Sequence, residues 1–312
     1  MQADFKIIQP NDESLILSRN HLVQEQLRAK NPLFPVEHEY PIVLDQKMAM
    51  LSYCMMNDNN EVVAHANLWP RRFITGESSN QSYNVGLVGN VATDKRWQNK
   101  GLMRKLFGYL ESIARKQNLD ALILWSDLVQ FYQNLGFSSL SREFRFHIER
   151  KSSAPGKTDL FMIDTKSVTI GDARKLLDIR YKVPFTLERS PEEFLQLLTI
   201  PATYLFIRLG REEIERYYLI GKGYDMVNVI HEWGCNNPVD LYNDVVDIGH
   251  ELDFPSVTLL CPPTIEPSWI QTLKCLSATE ETCSMAMIKY LNDTDSFREK
   301  LSQCFIWGPD SI

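Results

Sequence analysis

Apolar positions along the first half of the chain alternate between helical and strand-like spacing. Over 12–30, Leu15, Ile16, Leu22, Val23 and Leu27 fall roughly on one helical face. Asn31-Pro32 ends that run, because the residue before a proline is driven out of the helical region. Segments 48–56 and 61–69 are predicted strands, joined as a hairpin by the turn-forming run Asn57-Asp58-Asn59-Asn60. Another strand is predicted over 83–92, where Gly86 and Gly89 mark a bulge or the close approach of a ligand. From Gly101 onward, Leu102, Met103, Leu106, Phe107, Leu110, Ile113 and Ala114 recur at helical spacing, and Asn118 can cap the helix. Segment 119–125 has the continuous apolar character of a buried strand. Ser126-Asp127 then stand at the N-cap of a short helix, 128–135, closed by Gly136, and 137–148 reads as strand.

The second half repeats this order. Segment 151–159 is small, polar and contains Pro and Gly, so it is the expected linker between a domain at 1–150 and another at 160–312. A helix is predicted near 173–181. A second opens at Ser190-Pro191-Glu192-Glu193, which supplies an N-cap Ser, Pro at the first helical position and Glu three residues on. Strands at 204–209, 216–220 and 226–233, a helix at 239–252 and strands at 256–261 and 285–291 follow. The pattern reads as a tandem duplication. Gly221-Lys222-Gly223 reads as a hairpin turn rather than a phosphate loop, and the apolar, turn-rich 305–312 is expected to dock.

Composition narrows the class. At 312 residues, 44% hydrophobic and 23% charged, the chain is of ordinary globular type and large enough for two domains. No run approaches the roughly 18–20 apolar residues of a membrane span. The start lacks a basic region followed by an apolar core, so a cytoplasmic protein with no membrane partner is expected. Six scattered cysteines without a C-x-x-C pair read as reduced thiols. His231-Glu232 lacks the second histidine of a zinc helix, so no metal is expected. Residues 1–150 carry a net charge of +1 and the remainder −8, a total of −7 that argues against nucleic acid as a partner.

One local feature runs against that charge. Lys95, Arg96, Lys100, Arg104 and Lys105 fall between 95 and 105 with no acid among them, across the loop after the 83–92 strand and the start of the helix near 101. A helix start carries unpaired N–H groups and the positive end of the macrodipole, so this junction suits a phosphate or pyrophosphate. Within it stands Gln98-Asn99-Lys100-Gly101-Leu102-Met103, and about 30 residues on comes Phe131-Tyr132-Gln133-Asn134-Leu135-Gly136-Phe137. These two segments resemble the Q/R-x-x-G-x-G/A loop and the F-Y-x-x-x-G-F signature of the GCN5-related N-acetyltransferase (GNAT) family. The resemblance covers roughly residues 5–148. It implies an α/β fold with an α+β mixed sheet, here as two tandem acyl-CoA N-acyltransferase domains. The second is degenerate: Gly234-Cys235-Asn236-Asn237-Pro238-Val239 stands where the loop would be.

The resemblance further implies acetyl-CoA as co-substrate. Gln98 opens the loop, and the amides of Asn99, Lys100, Gly101, Leu102 and Met103 would hold the pyrophosphate. Val91 and Thr93, flanking Ala92, would pair with the pantetheine arm, and Lys95, Arg96, Lys100 or Arg104 would meet the 3′-phosphate. Met103 departs from the family's small residue, and Ser126 is the nearest substitute for a missing pantetheine-binding Asn. Tyr132 is the candidate acid for the departing thiolate. The 83–92 strand holds no Asp or Glu to serve as base. His65 is one candidate. Similarity to tandem acetyltransferases that modify aminoglycosides offers the Ile312 carboxylate, or Asp310, as another.

Arg71-Arg72, with Trp69 and Phe73, are candidates to line a cleft for an anionic group on the acceptor. The expected activity is transfer of an acetyl group from acetyl-CoA to a primary amine of a small molecule or peptide, by direct attack on the thioester. An acyl-CoA-binding regulatory or scaffolding module, or an aminoacyl or long-chain acyl transferase, are the alternatives. The acceptor is not written in the sequence, and a homo-oligomer is left open.

Overall fold

The computed structural model describes residues 5–28, 33–75, 82–150, 159–211, 213–292 and 295–312. The expected helix end at Asn31-Pro32 and the linker up to residue 158 lie outside them. The first half runs β1 (Lys6–Ile8), α1 (Glu13–Arg28), α2 (Val36–Glu39), β2 (Ser52–Met56), β3 (Val62–Thr75), β4 (Ser82–Thr93), α3 (Leu102–Lys116), β5 (Ala121–Leu124), α4 (Val129–Gln133), β6 (Ser138–Ser139) and β7 (Arg142–Glu149). The second runs β8 (Leu160–Ile163), α5 (Ile170–Ile179), β9 (Phe185–Leu187), α6 (Pro191–Leu197), β10 (Tyr204–Leu209), β11 (Ile214–Ile220), β12 (Val229–Gly234), α7 (Pro238–Glu251), β13 (Ser256–Cys261), α8 (Pro267–Cys275), β14 (Thr279–Ser284), β15 (Met287–Tyr290) and α9 (Asp295–Leu301).

These strands form two mixed sheets of one plan. The first is ordered β1-β2-β3-β4-β5-β15-β6, with β9 added to β3, and the second β8-β10-β11-β12-β13-β7-β14. In each, only one internal pair is parallel, β4 with β5 and β12 with β13. The sixth strands are exchanged. β7, from before the linker, pairs with β13 and β14, whereas β15, from near the chain's end, pairs with β5 and β6. Each half therefore completes the other's sheet, and neither segment on its own carries all the strands of one.

Local differences from the sequence pattern have local causes. Residues 48–51 belong to a short 3-10 helix, Gln46–Leu51, because the Asp45 carboxylate accepts the Lys47 N–H and closes a turn. β3 continues past 69 and crosses Pro70. There β2 has already ended at the Ser52–Asn67 pair and β9 joins only from Phe73, so Pro70 has a strand neighbour on one side alone. α3 buries Leu102, Met103, Leu106, Phe107, Leu110 and Ala114 as its periodicity requires. Asn118 ends it in the left-handed region (φ 54°), with Leu119 N–H returning to the Ala114 carbonyl at 2.9 Å.

The parallel pair places the cleft. β4 and β5 pair only from Val85–Ala121 to Leu87–Ile123, after which β4 runs on to Thr93 while β5 ends at Leu124. The strands thus fork. β12 and β13 also pair over two positions only, but their fork is filled: the Trp233 indole donates to the Leu260 carbonyl (2.9 Å), and Tyr181, Trp269 and Trp307 pack round it.

Candidate functional site

The open fork begins at a bulge in β4. Its register with β3 slips between His65–Ala92 and Asn67–Gly89, so Asn90 and Val91 together face Ala66. Asn90 adopts φ 49°, and polar contacts fix it there. His65 Nδ1 bonds the Asn90 carbonyl at 2.8 Å, and Asn90 Nδ2 donates to Asn67 Oδ1 at 3.1 Å. Asn67 in turn donates to the Val43 carbonyl and Ser52 Oγ, both at 3.0 Å, and Ser52 also receives a bond from the buried Arg19. The signal for this network was weak in the sequence, since its members lie on α1, β2, β3 and β4.

Beyond Thr93 the chain turns through a compact loop. The Asp94 carboxylate accepts the Arg96 N–H at 2.8 Å and pairs with its guanidinium. Asn99 (φ 60°) and Gly101 (φ 76°) then make two left-handed turns into α3. A Cβ at Gly101 would meet nothing within 4 Å, so glycine serves conformation here rather than space. Gly101 is the N-cap and gives no side-chain bond to the helix start, which leaves the first N–H groups of α3 facing outward. Of the basic cluster, Arg104 lines the cleft, Lys100 stacks on Trp97 (4.3 Å), Arg96 serves Asp94, and Lys105 reaches the Phe5 carbonyl.

A cavity of about 570 Å³ lies along the end of β4, against the loop into α3 and against α4. Val91, Ala92, Thr93, Gln98, Asn99, Gly101, Leu102, Met103, Arg104 and Tyr132 all border it, so the two sequence motifs converge on one space. Gln26 and Leu27 of α1, with Trp97, Leu128 and Phe131, complete the wall. Lys100 and Ser126 are not among the residues that border it. Met103 is 8% exposed and packs into the core against the sheet, which is how α3 accommodates a large residue there.

Tyr132 is buried, edge-on to Phe107, Phe131 and Phe137. Burial pushes its hydroxyl up to about 12, partly offset by a hydrogen bond with Ser126. Ser126 Oγ also accepts the Leu128 N–H at 3.0 Å. Asp127 is not the cap of α4; Leu128 holds that position without a side-chain bond.

The candidate bases separate clearly. His65 is fully buried, and burial holds its pKa down to about 3 against the bond to Asn90, so its ring stays neutral and braces the bulge. Asp310 is also fully buried, but as an anchor. Burial alone would raise its carboxyl, yet Arg189 and Arg71 hold it below the usual range. Arg189 further bonds Glu232 at 2.7 Å, and Arg71 bonds Glu193 at 2.5 Å. Arg71 is therefore spent inside the molecule and does not offer an acceptor its charge, while Arg72 sits exposed against Glu188. This ion cluster and the buried Phe305, Ile306 and Trp307 hold the 305–312 segment against the rest of the molecule. They bring Ile312 against β4: a Cβ on Gly89 would lie 2.5 Å from the Ile312 carbonyl carbon and 2.7 Å from its oxygen. Gly89 is closely approached, but by the chain's own tail.

Among the described residues no cluster of His, Cys, Asp or Glu is arranged to hold a metal, and no helix is long and apolar enough to cross a membrane.

Residues 20–137 match the model of the acetyltransferase (GNAT) family. The sequence matches none of the curated proteins. Its fold is similar to that of a probable N-acyltransferase of Enterococcus faecalis V583, at 14% identity over 93% of this chain and 73% of that one, with TM-score 0.66. GCN5-related N-acetyltransferases of Anabaena variabilis ATCC 29413 (13% identity, 93% and 73% covered, TM-score 0.65) and Kribbella flavida (13%, 93% and 72%, 0.62) are similar to a like degree. At such identities the likeness is one of fold.

Proposed function

Because residues 20–137 match the model of the acetyltransferase (GNAT) family, we propose that this protein moves an acetyl group from acetyl-CoA to a primary amine of a small molecule or peptide. The observation that carries the proposal is the convergence of the uncapped α3 start, the stretch of β4 beyond its pairing with β5, and Tyr132 on one cavity. Outward N–H groups beside Arg104 suit a pyrophosphate. The exposed edge of β4 at Val91–Thr93 suits the amide-bearing arm of the donor, as an added strand would. The tandem reading rests on the shared strand plan of the two sheets, and the aromatic filling of the second fork supports donor binding in the first half alone.

The chemistry follows from these placements. The neutral amine attacks the thioester carbonyl; a C–N bond forms and the C–S bond breaks. The leaving thiolate takes the Tyr132 proton, which a hydroxyl held near 12 retains until sulfur charge develops. The amine proton needs an acceptor, and the carboxylate of Ile312, whose carbon packs on Gly89 next to the β4 bulge, is the group proposed for it. His65 and Asp310 instead hold structure.

Calorimetry with acetyl-CoA and thiol release over a panel of primary amines test the proposal. One equivalent of donor per chain and amine-dependent thiol release are expected. Donor binding without turnover on any amine would turn the reading toward a binding module, and two equivalents would overturn the role given to the second half.

A further inference from the structure

The hairpin turn between β11 and β12 reaches across to the first half. Gly221 and Gly223 both have positive φ (81° and 53°). A Cβ on Gly221 would lie 2.1 Å from the Ala202 carbonyl oxygen, and one on Gly223 2.5 Å from Glu39 Oε2, so the turn is pressed between its own half and α2. This packing buries Lys222. Its ammonium donates to the Gly308 carbonyl and Ser311 Oγ, both at 2.8 Å, and to the Ser311 carbonyl. All three of its N–H donors are thus directed at the tail.

The residues that follow grip the first half. Tyr224 N–H donates to Glu39 Oε2 (3.0 Å), and Glu39 accepts from Arg28 Nε (2.9 Å). Arg28 and the Tyr40 hydroxyl both reach Asp225, at 2.8 and 2.9 Å. Arg28 is the last residue of α1, and Gln26 and Leu27 just before it line the cavity. One short turn therefore holds both the tail that ends on the β4 bulge and the helix end that walls the cleft.

We propose that residues 221–225 form a clamp for the acyl-transfer site, with Lys222 the positioning residue that keeps Ile312 seated on Gly89. The proposal rests on the reading of this cavity as the transfer site. A buried ammonium is costly to desolvate, and mere packing between apolar segments would be met by a methionine of like length. Lys222 instead donates to the Ser311 carbonyl and adds a further bond to the Gly308 carbonyl, which already accepts the Ser311 N–H and hydroxyl. Asp225 and Asp310 face it with attracting charge, Arg189 and Arg28 with repelling charge, and His231 beside it is neutral; burial dominates and brings it to about 8. The grip therefore loses a donor and its charge as pH rises through that value.

The test is Lys222→Met, with Ser311→Ala as a milder variant that removes only the Oγ acceptor. For Lys222→Met, kcat is expected to fall about tenfold or more at an unchanged dissociation constant for acetyl-CoA. The decline of kcat above about pH 8 is expected to vanish in this variant, and amide exchange at 308–312 to quicken. Ser311→Ala, which keeps the lysine, shifts kcat and exchange in the same direction but retains the alkaline decline. A kcat within about twofold of the parent, or an alkaline decline that persists in Lys222→Met, overturns the clamp. If Lys222→Met does not fold, an unchanged kcat and exchange in Ser311→Ala overturns it. If the unmodified protein transfers nothing, the acyl-transfer reading fails by itself, and unchanged exchange at 308–312 in Lys222→Met then overturns the clamp separately.

Discussion

Replacing Tyr132 by phenylalanine separates the chemistry of the site from its packing. The ring keeps its edge-on contacts with Phe107 and Phe137, 5.7 and 5.9 Å between centroids, because only the hydroxyl is removed. The structural loss is one hydrogen bond with Ser126, which retains its bond from Leu128 N–H. That places the stability cost at about 1 kcal/mol. Removal of a general acid carries a far larger kinetic cost, about 10² to 10⁴ in kcat. Acetyl-CoA affinity should stay within about threefold, since the α3 start, the fork and the loop are untouched. The pH profile adds a second check. A hydroxyl raised to about 12 remains protonated throughout the working range, so any alkaline decline below that value belongs to another group and survives the substitution. Thiol release under saturating donor and amine measures kcat, calorimetry measures donor affinity, and urea unfolding measures stability. A kcat within about threefold of the parent, with donor binding intact, would refute the assignment of Tyr132 as acid.

Three further outcomes follow from other parts of the site. Gly101→Ala forces a side chain into φ 76° and should cost about 1–2 kcal/mol and weaken acetyl-CoA binding, read by thermal unfolding and calorimetry; unchanged affinity would show the loop is not the donor's cradle. Gly89→Ala places a Cβ 2.5 Å from the Ile312 carbonyl carbon, so the tail must retreat by roughly 1 Å to ordinary contact; kcat should drop by up to about 10² while donor affinity holds, and a parental kcat would sever the tail from the reaction. His65 and His231 are both depressed to about 3 by burial, so the folded state binds fewer protons than the unfolded one between there and about 6.5. Their stability contribution is present above 6.5 and is lost as pH falls; at pH 5 each should cost about 2 kcal/mol relative to pH 7, and urea midpoints that do not move between these pH values would contradict their burial as neutral rings.

How much of this was legible in the sequence depended on range. The α3 periodicity, the Asn57–Asn60 turn, the Ser190 capping box and the left-handed Asn118 and Gly136 ends are consequences of neighbours within a few residues, and the structure has them where the pattern puts them. The strand Gly89 marked was also real, but the pattern could not say what approaches it. Arg71 illustrates the opposite limit. A basic pair on a strand normally faces solvent, and only the arrival of Asp310, Glu193 and the Glu188 carbonyl from the second half buries it. Lys222 reads as the middle of a turn, and its direction, inward to the tail, depends on where α2 and residues 308–311 lie.

Sequence alone determined α1, α3 and the strands that frame the site, the loop-to-helix junction at 94–104 and the two motifs, because dihedral preference, capping and periodicity are local properties. Tertiary structure alone decided the exchange of β7 and β15, the aromatic filling of the second fork, the neutral bracing role of His65 and the path of the tail to Gly89. Those depend on which surfaces meet. Alternation along β7 buries one of its faces equally well in either sheet, and only the packing of the two halves selects the partner.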